Sequence, residues 1–168
     1  MSRETLWKGK FLRIVREDGW EYAERAGGLN AAVILAVDDD HVLLIEQRRV
    51  PAGGATLELP AGLVGDEGEP ETPAVAAARE LEEETGYRAA RVEEAGFFLS
   101  SPGLTSEGFT LVRATGLTRV GAPEEGITLH RVALADVPDF IAARRAEGVA
   151  IDAKLLLFFA MTSPSPIT

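Results

Sequence analysis

The sequence predicts an α+β fold built on a mixed, mostly antiparallel sheet. Three observations carry this. Strand-type segments outnumber helical ones and cluster around short turns. Only three segments have helical caps and periodicity. The 168 residues amount to one domain large enough to bury its own core.

The first thirty residues read as strands. Val15-Arg16-Glu17 and Trp20-Glu21-Tyr22 flank Asp18-Gly19, a two-residue hairpin signal. Ala31 to Val37 is a continuous run of small and β-branched residues, as expected of a buried strand. Asp38-Asp39-Asp40-His41 then turns the chain into Val42-Leu43-Leu44-Ile45, and lacks the acidic spacing and distal glutamate of a calcium loop. Alternation marks further strands from Phe109 to Ala114 and from Ile127 to Val132. The first helix is expected from Pro73 to Thr85, with Thr72 as N-cap and Gly86 as stop. The second is expected from Val137 to Glu147, capped by Asp136 and stopped at Gly148. The third follows Asp152 and is apolar nearly all round, from Leu155 to Phe159, which suits a buried or interface helix. Residues 1–30 are assigned to N-terminal strands, 31–162 to the main domain and 163–168 to a loose polar tail.

Composition narrows the chemistry. Seventeen Lys and Arg against twenty-seven Asp and Glu give a net charge of −10, unsuited to nucleic acid or an anionic membrane surface. The absence of cysteine excludes disulfides, thiolate metal sites and a cysteine nucleophile. With only His41 and His130 for imidazole, metal chemistry falls to oxygen ligands and hard cations. No signal peptide or membrane span is visible, so a cytoplasmic protein is expected.

The informative stretch is Arg79-Glu80-Leu81-Glu82-Glu83-Glu84-Thr85-Gly86. On a helix with Glu80 at zero, Glu84 falls at about 40° and Glu83 at about 300°, so three carboxylates share an arc of about 100°. Leu81, Ala74 and Ala78 fall between about 100° and 160°, the expected core stripe. Arg79 can pair with Glu83, and Glu82 points elsewhere, into solvent. Acids late in a helix oppose its macrodipole, and like charges at i and i+4 repel. A divalent cation would relieve both penalties.

Together with the glycine-rich loop before it, this stretch resembles the Nudix hydrolase box, G-x5-E-x7-R-E-U-x-E-E-x-G-U, where U is a bulky aliphatic residue. Gly65, Glu71, Arg79, Glu80, Leu81, Glu83, Glu84 and Gly86 match at the correct spacing, and Tyr87 departs mildly at the last position. The resemblance implies a Nudix-type α/β/α sandwich whose box forms loop, helix and loop. It also implies a pyrophosphatase for nucleoside diphosphate derivatives that uses Mg²⁺, with Mn²⁺ or Zn²⁺ as substitutes. Glu80 and Glu84 take the places of the principal metal ligands and Glu83 of a further one. Arg79 orients Glu83, while Glu71, Gly65 and Gly86 support the loop and helix.

Other segments resemble the ADP-ribose pyrophosphatase subfamily. Glu58-Leu59-Pro60-Ala61-Gly62 is similar to its ELPAG segment, in which the Ala61 carbonyl would ligate metal. Ser101-Pro102-Gly103 through Glu107, Asp152-Ala153-Lys154 and Gln47-Arg48-Arg49 match further short segments. By the same resemblance, Arg25, Arg49, Glu58, Gly103 and Glu107 are expected to bind substrate. ADP-ribose would be cleaved to AMP and ribose 5-phosphate by a homodimer joined through its N-terminal strands. FAD, NADH or a GDP-sugar is the alternative substrate, and a non-catalytic nucleotide sensor the alternative role. The general base is expected on the loop Gly121-Ala122-Pro123-Glu124-Glu125-Gly126, with Glu125 favoured over Glu124 and with Glu107 or Glu83 next in line.

Overall fold

The structure is a computed structural model that describes residues 2–65 and 70–162, without the side chains of Met161 and Thr162. The tail expected at 163–168 lies outside the described residues. The first sheet is antiparallel and made of β1 (Arg3–Lys8), β2 (Leu12–Glu17) and β3 (Trp20–Arg25). Asp18 and Gly19 join β2 to β3 with φ of 49° and 85°, the left-handed pair that a tight hairpin requires.

The main sheet contains β4 (Ala31–Asp38), β5 (His41–Arg49), β6 (Gly54–Glu58), β8 (Tyr87–Leu99), β9 (Gly108–Arg119) and β11 (Ala150–Ile151), in the order β11-β6-β5-β4-β9-β8. β7 (Ala61–Leu63) adds to β4, and β10 (Thr128–Ala133) adds to β5. Only β4 with β9 and β11 with β6 run parallel, so the sheet is mixed and mostly antiparallel.

One pairing shapes the site. β4 meets β5 only at Val37 and Asp38, beside their connecting turn. Its first half, Ala31 to Val33, is bonded to β7 instead. The far ends of β5 and β6 therefore diverge from β4, and a cleft opens between them and β7.

Helices cover both faces. α1 (Pro73–Thr85) packs with Ala32, Ile34, Ala36, Leu43, Val112 and Ala114. On the other face, α2 (Val137–Ala146) and α3 (Leu156–Thr162) lie over a cluster that includes Val33, Leu35, Leu44, Leu57 and Leu111. α1 has the expected bounds: the Thr72 hydroxyl accepts from Val75 N–H at 3.3 Å, and Gly86 closes the helix at φ 72°.

Three expectations need correction. Asp136 precedes α2 but makes no side-chain cap bond, because it ends a 3₁₀ turn over Leu134–Asp136 that delivers the chain already helical. α3 is buried on one side only: Leu155, just before it, and Phe158 are buried, while Leu156 is 65% exposed. The buried face of α1 is Ala76, Ala77, Leu81, Glu84 and Thr85, whereas Ala78 is exposed. The buried arc is thus rotated toward Glu84, so the acidic arc overlaps the core stripe instead of flanking it.

Candidate active site

The site is assembled at the mouth of the diverging strands. α1 supplies its carboxylates. Glu84 is 7% exposed, and its Oε2 accepts a hydrogen bond from Ala61 N–H at 2.9 Å. Burial pushes its pKa up from 4.5 to about 7; the Ala61 N–H opposes this, and the charges of Glu80 and Glu58 add to it. Glu80 lies one turn earlier against Gly62, where a Cβ would fall 1.9 Å from the Glu80 carboxyl carbon. Only glycine leaves that carboxylate its place.

Arg79 anchors the box. It donates to Glu80 at 2.8 Å, to Glu83 at 3.1 Å, to Glu71 at 3.4 Å and to the Leu63 carbonyl at 3.3 Å. Glu71 also accepts from Gly65 N–H at 3.1 Å, which closes the loop before α1 onto the helix. Burial alone would raise the Glu71 pKa, but the Arg79 and Gly65 bonds outweigh it and hold it below the ordinary value. Glu82 points away from this group and bonds Arg88 at 2.8 and 3.0 Å, as its helical angle predicts.

Above the carboxylates lies a cleft of about 740 Å³, lined by residues that include Arg25, Arg49, Glu58, Ala61, Glu80 and Glu107. Its cations are already matched with acids. Arg49 forks onto the buried Glu58 at 2.9 and 2.7 Å, Arg25 bonds Glu107, and Lys154 bonds Asp152. The structure thus gathers Arg25, Arg49, Glu58, Ala61, Glu80 and Glu107 from distant parts of the chain, with Glu84 bonded beneath Ala61.

Other predicted residues stand apart. Gly103 lies in a separate hollow with Trp20 and Tyr22. Glu124 and Glu125 are exposed and do not line the cleft. Their loop is bound to the end of α1: Val120 and Gly121 N–H donate to the Gly86 carbonyl, and Glu124 N–H donates to that of Glu83 at 2.9 Å. Thr56, Gly62, Asp152 and Lys154 line the cleft without having been singled out as site residues. A lone threonine inside the apolar Ala55–Leu57 stretch was the available signal for the first.

The donor set fits a hard divalent cation. It consists of carboxylates, and burial beside Glu80 leaves the Glu84 charge short of compensation. Among the described residues no three acidic side chains already surround one point; Arg79 engages Glu80 and Glu83 instead.

Fold and box define the class: residues 28–153 match the NUDIX domain, and the chain belongs to that family. Its relatives are more particular. An ADP-ribose pyrophosphatase of Mycobacterium tuberculosis is 35% identical over 131 residues, covering 74% of this chain and 62% of that protein. One of Bacillus subtilis is 31% identical over 116 residues, covering 64% and 60%. These matches span less than two thirds of either relative's length. A crystal structure of an ADP compounds hydrolase superposes with a TM-score of 0.68 at 23% identity, over 88% of this chain and 87% of that one, a likeness of fold.

Proposed function

We propose that this chain hydrolyses the diphosphate of a nucleoside diphosphate derivative, with ADP-ribose its best substrate and AMP and ribose 5-phosphate its products. The carrying observation is that Glu80 and Ala61, whose N–H is bonded to Glu84, share one cleft with the arginines Arg25 and Arg49. Carboxylates for a cation and cations for a phosphate are what a charged anhydride needs on its two sides.

Glu80, Glu84, Glu83 and the Ala61 carbonyl would hold Mg²⁺, for which Mn²⁺ or Zn²⁺ could substitute. When bound, the cation supplies neutralisation of the diphosphate charge and acidifies water. Glu58 keeps Arg49 extended beside the cleft, with 45% of its side chain still accessible to a phosphate. Arg25 and Lys154 act likewise through Glu107 and Asp152. Water adds to one phosphorus, the bridging P–O bond breaks, and the water proton passes to a base. We assign the base to Glu125, on the loop that Glu124 N–H ties to the Glu83 carbonyl; Glu124 and Glu83 are the neighbouring candidates. Exposed Trp7 and Trp20 on the N-terminal sheet, with exposed Phe11 in the turn between β1 and β2, support a homodimer joined there.

The test is a panel of ADP-ribose, FAD, NADH and a GDP-sugar with Mg²⁺ or Mn²⁺, assayed for nucleoside monophosphate. The highest kcat/KM is expected for ADP-ribose. Binding without any cleavage would favour a sensor.

A further inference from the structure

Two buried polar atoms sit opposite each other on the β5–β6 ladder with nothing to bond. Gln47 and Thr56 are direct antiparallel partners, so their side chains share a sheet face. Thr56 is 7% exposed. Its Oγ1 and the Gln47 Nε2 have no hydrogen-bond partner among the described residues. Buried polar groups are nearly always paired, because an unmade bond forfeits the water that was given up. A valine would fit this pleated position without that cost.

Thr56 belongs to the cleft, and Arg49 and Glu58 lie two residues along the same strands and on the same face. Two residues of strand place Thr56 about 7 Å from Glu58, and Glu58 lies between it and the Ala61–Glu84 contact along the chain. The neighbouring cations are matched, Arg49 by Glu58 and Lys154 by Asp152, so the position does not call for another negative charge. An amide N–H donor beside a hydroxyl that donates and accepts is matched by a neutral group with the same capacity, a sugar diol.

We propose that Thr56, with Gln47 beside it, binds the hydroxyls of a ribose of the nucleoside diphosphate derivative and makes the site selective for that diol. This rests on the substrate reading above. The ribose is either the nucleoside's or the terminal one.

The test uses the full chain, wild type and with Thr56→Val or Thr56→Ser. The substrates are ADP-ribose and two analogues, one lacking the 2′-hydroxyl of the adenosine ribose and one lacking a terminal-ribose hydroxyl. Wild type is expected to lose about tenfold or more in kcat/KM on one analogue, which identifies the ribose. Thr56→Val should lose a similar factor on ADP-ribose, mainly through KM, and match wild type on that same analogue. Thr56→Ser should stay within about threefold. The Tm of Thr56→Val should equal or exceed that of wild type, since an unpaired buried hydroxyl is gone; a clear fall would mean that the hydroxyl is already bonded within the protein and would overturn the proposal. Wild type accepting both analogues as well as ADP-ribose overturns the proposal, whether or not the variants fold. Equal losses for Thr56→Val on all three substrates overturn it too. If wild type cleaves none of them, the substrate reading has failed and this inference with it.

Discussion

Glu84, at the end of the box helix, is bonded to the backbone N–H of Ala61, 23 residues earlier, at 2.9 Å. One bond therefore locks the loop strand β7 to the helix that carries the acids. It also fixes which oxygen of Glu84 is spent on the protein and which is left for a ligand. Burial of this carboxylate is costly for the protein on its own and useful once a cation is present.

Replacing Glu84 with Gln keeps the shape and an acceptor for Ala61 N–H while removing the charge. Turnover at saturating Mg²⁺ should fall by orders of magnitude, and Mg²⁺ binding measured by calorimetry should weaken strongly. The Tm of the metal-free variant should not fall.

The same residue predicts a pH dependence. Its folded pKa of about 7 lies above its ordinary 4.5, so the folded state favours the protonated form. Its contribution to stability is fully present below pH 4.5 and lost as pH rises through about 7. In metal-free protein, the Tm of wild type relative to Glu84→Gln should therefore decline between pH 5 and pH 8. Mg²⁺ affinity should rise over the same interval, as the ligand loses its proton. A flat difference in Tm would place the titration elsewhere.

Gly62→Ala should disable the site without unfolding the protein. The added Cβ meets the Glu80 carboxyl, which must leave its position. We expect kcat to drop at least about tenfold with little change in Tm. Gly54→Ala, where a Cβ meets nothing within 4 Å, serves as the control and should be close to neutral.

Glu82→Gln should leave turnover within a few-fold of wild type, because Glu82 bonds Arg88 away from the cleft. A large loss of activity in folded protein would contradict that placement.

The assignment of the base is tested by comparing Glu125→Gln with Glu124→Gln. Glu125→Gln should lower kcat by about 10²–10⁴-fold with KM and metal affinity preserved. A large effect for Glu124 and a small one for Glu125 would shift the base by one residue. Small effects for both would move it to Glu83 or Glu107.

By itself, the sequence determined what depends on neighbours along the chain. Thr72, Pro73 and Gly86 bound α1 because caps and stops act within a single turn. Asp18-Gly19 bound a hairpin because the turn needs positive φ at both residues. The spacing of Glu80 and Glu84 placed them on one side of a helix because its pitch is fixed, and the box residues declared the family. Tertiary structure decided what depends on distant partners. β8, at 13 residues the longest strand, shows no alternation because it is a sheet edge with charged residues on both faces, held by pairing with β9. Which side of α1 is buried was set by the sheet beneath it, so Ala77 and Glu84 went in and Ala78 came out. Arg25 and Glu107 are 82 residues apart and meet only because β3 bonds the loop at Leu104 to Ser106. The unpaired hydroxyl of Thr56 exists only because β5 and β6 place it opposite Gln47 at the edge of a cleft, a burial that no local pattern encodes.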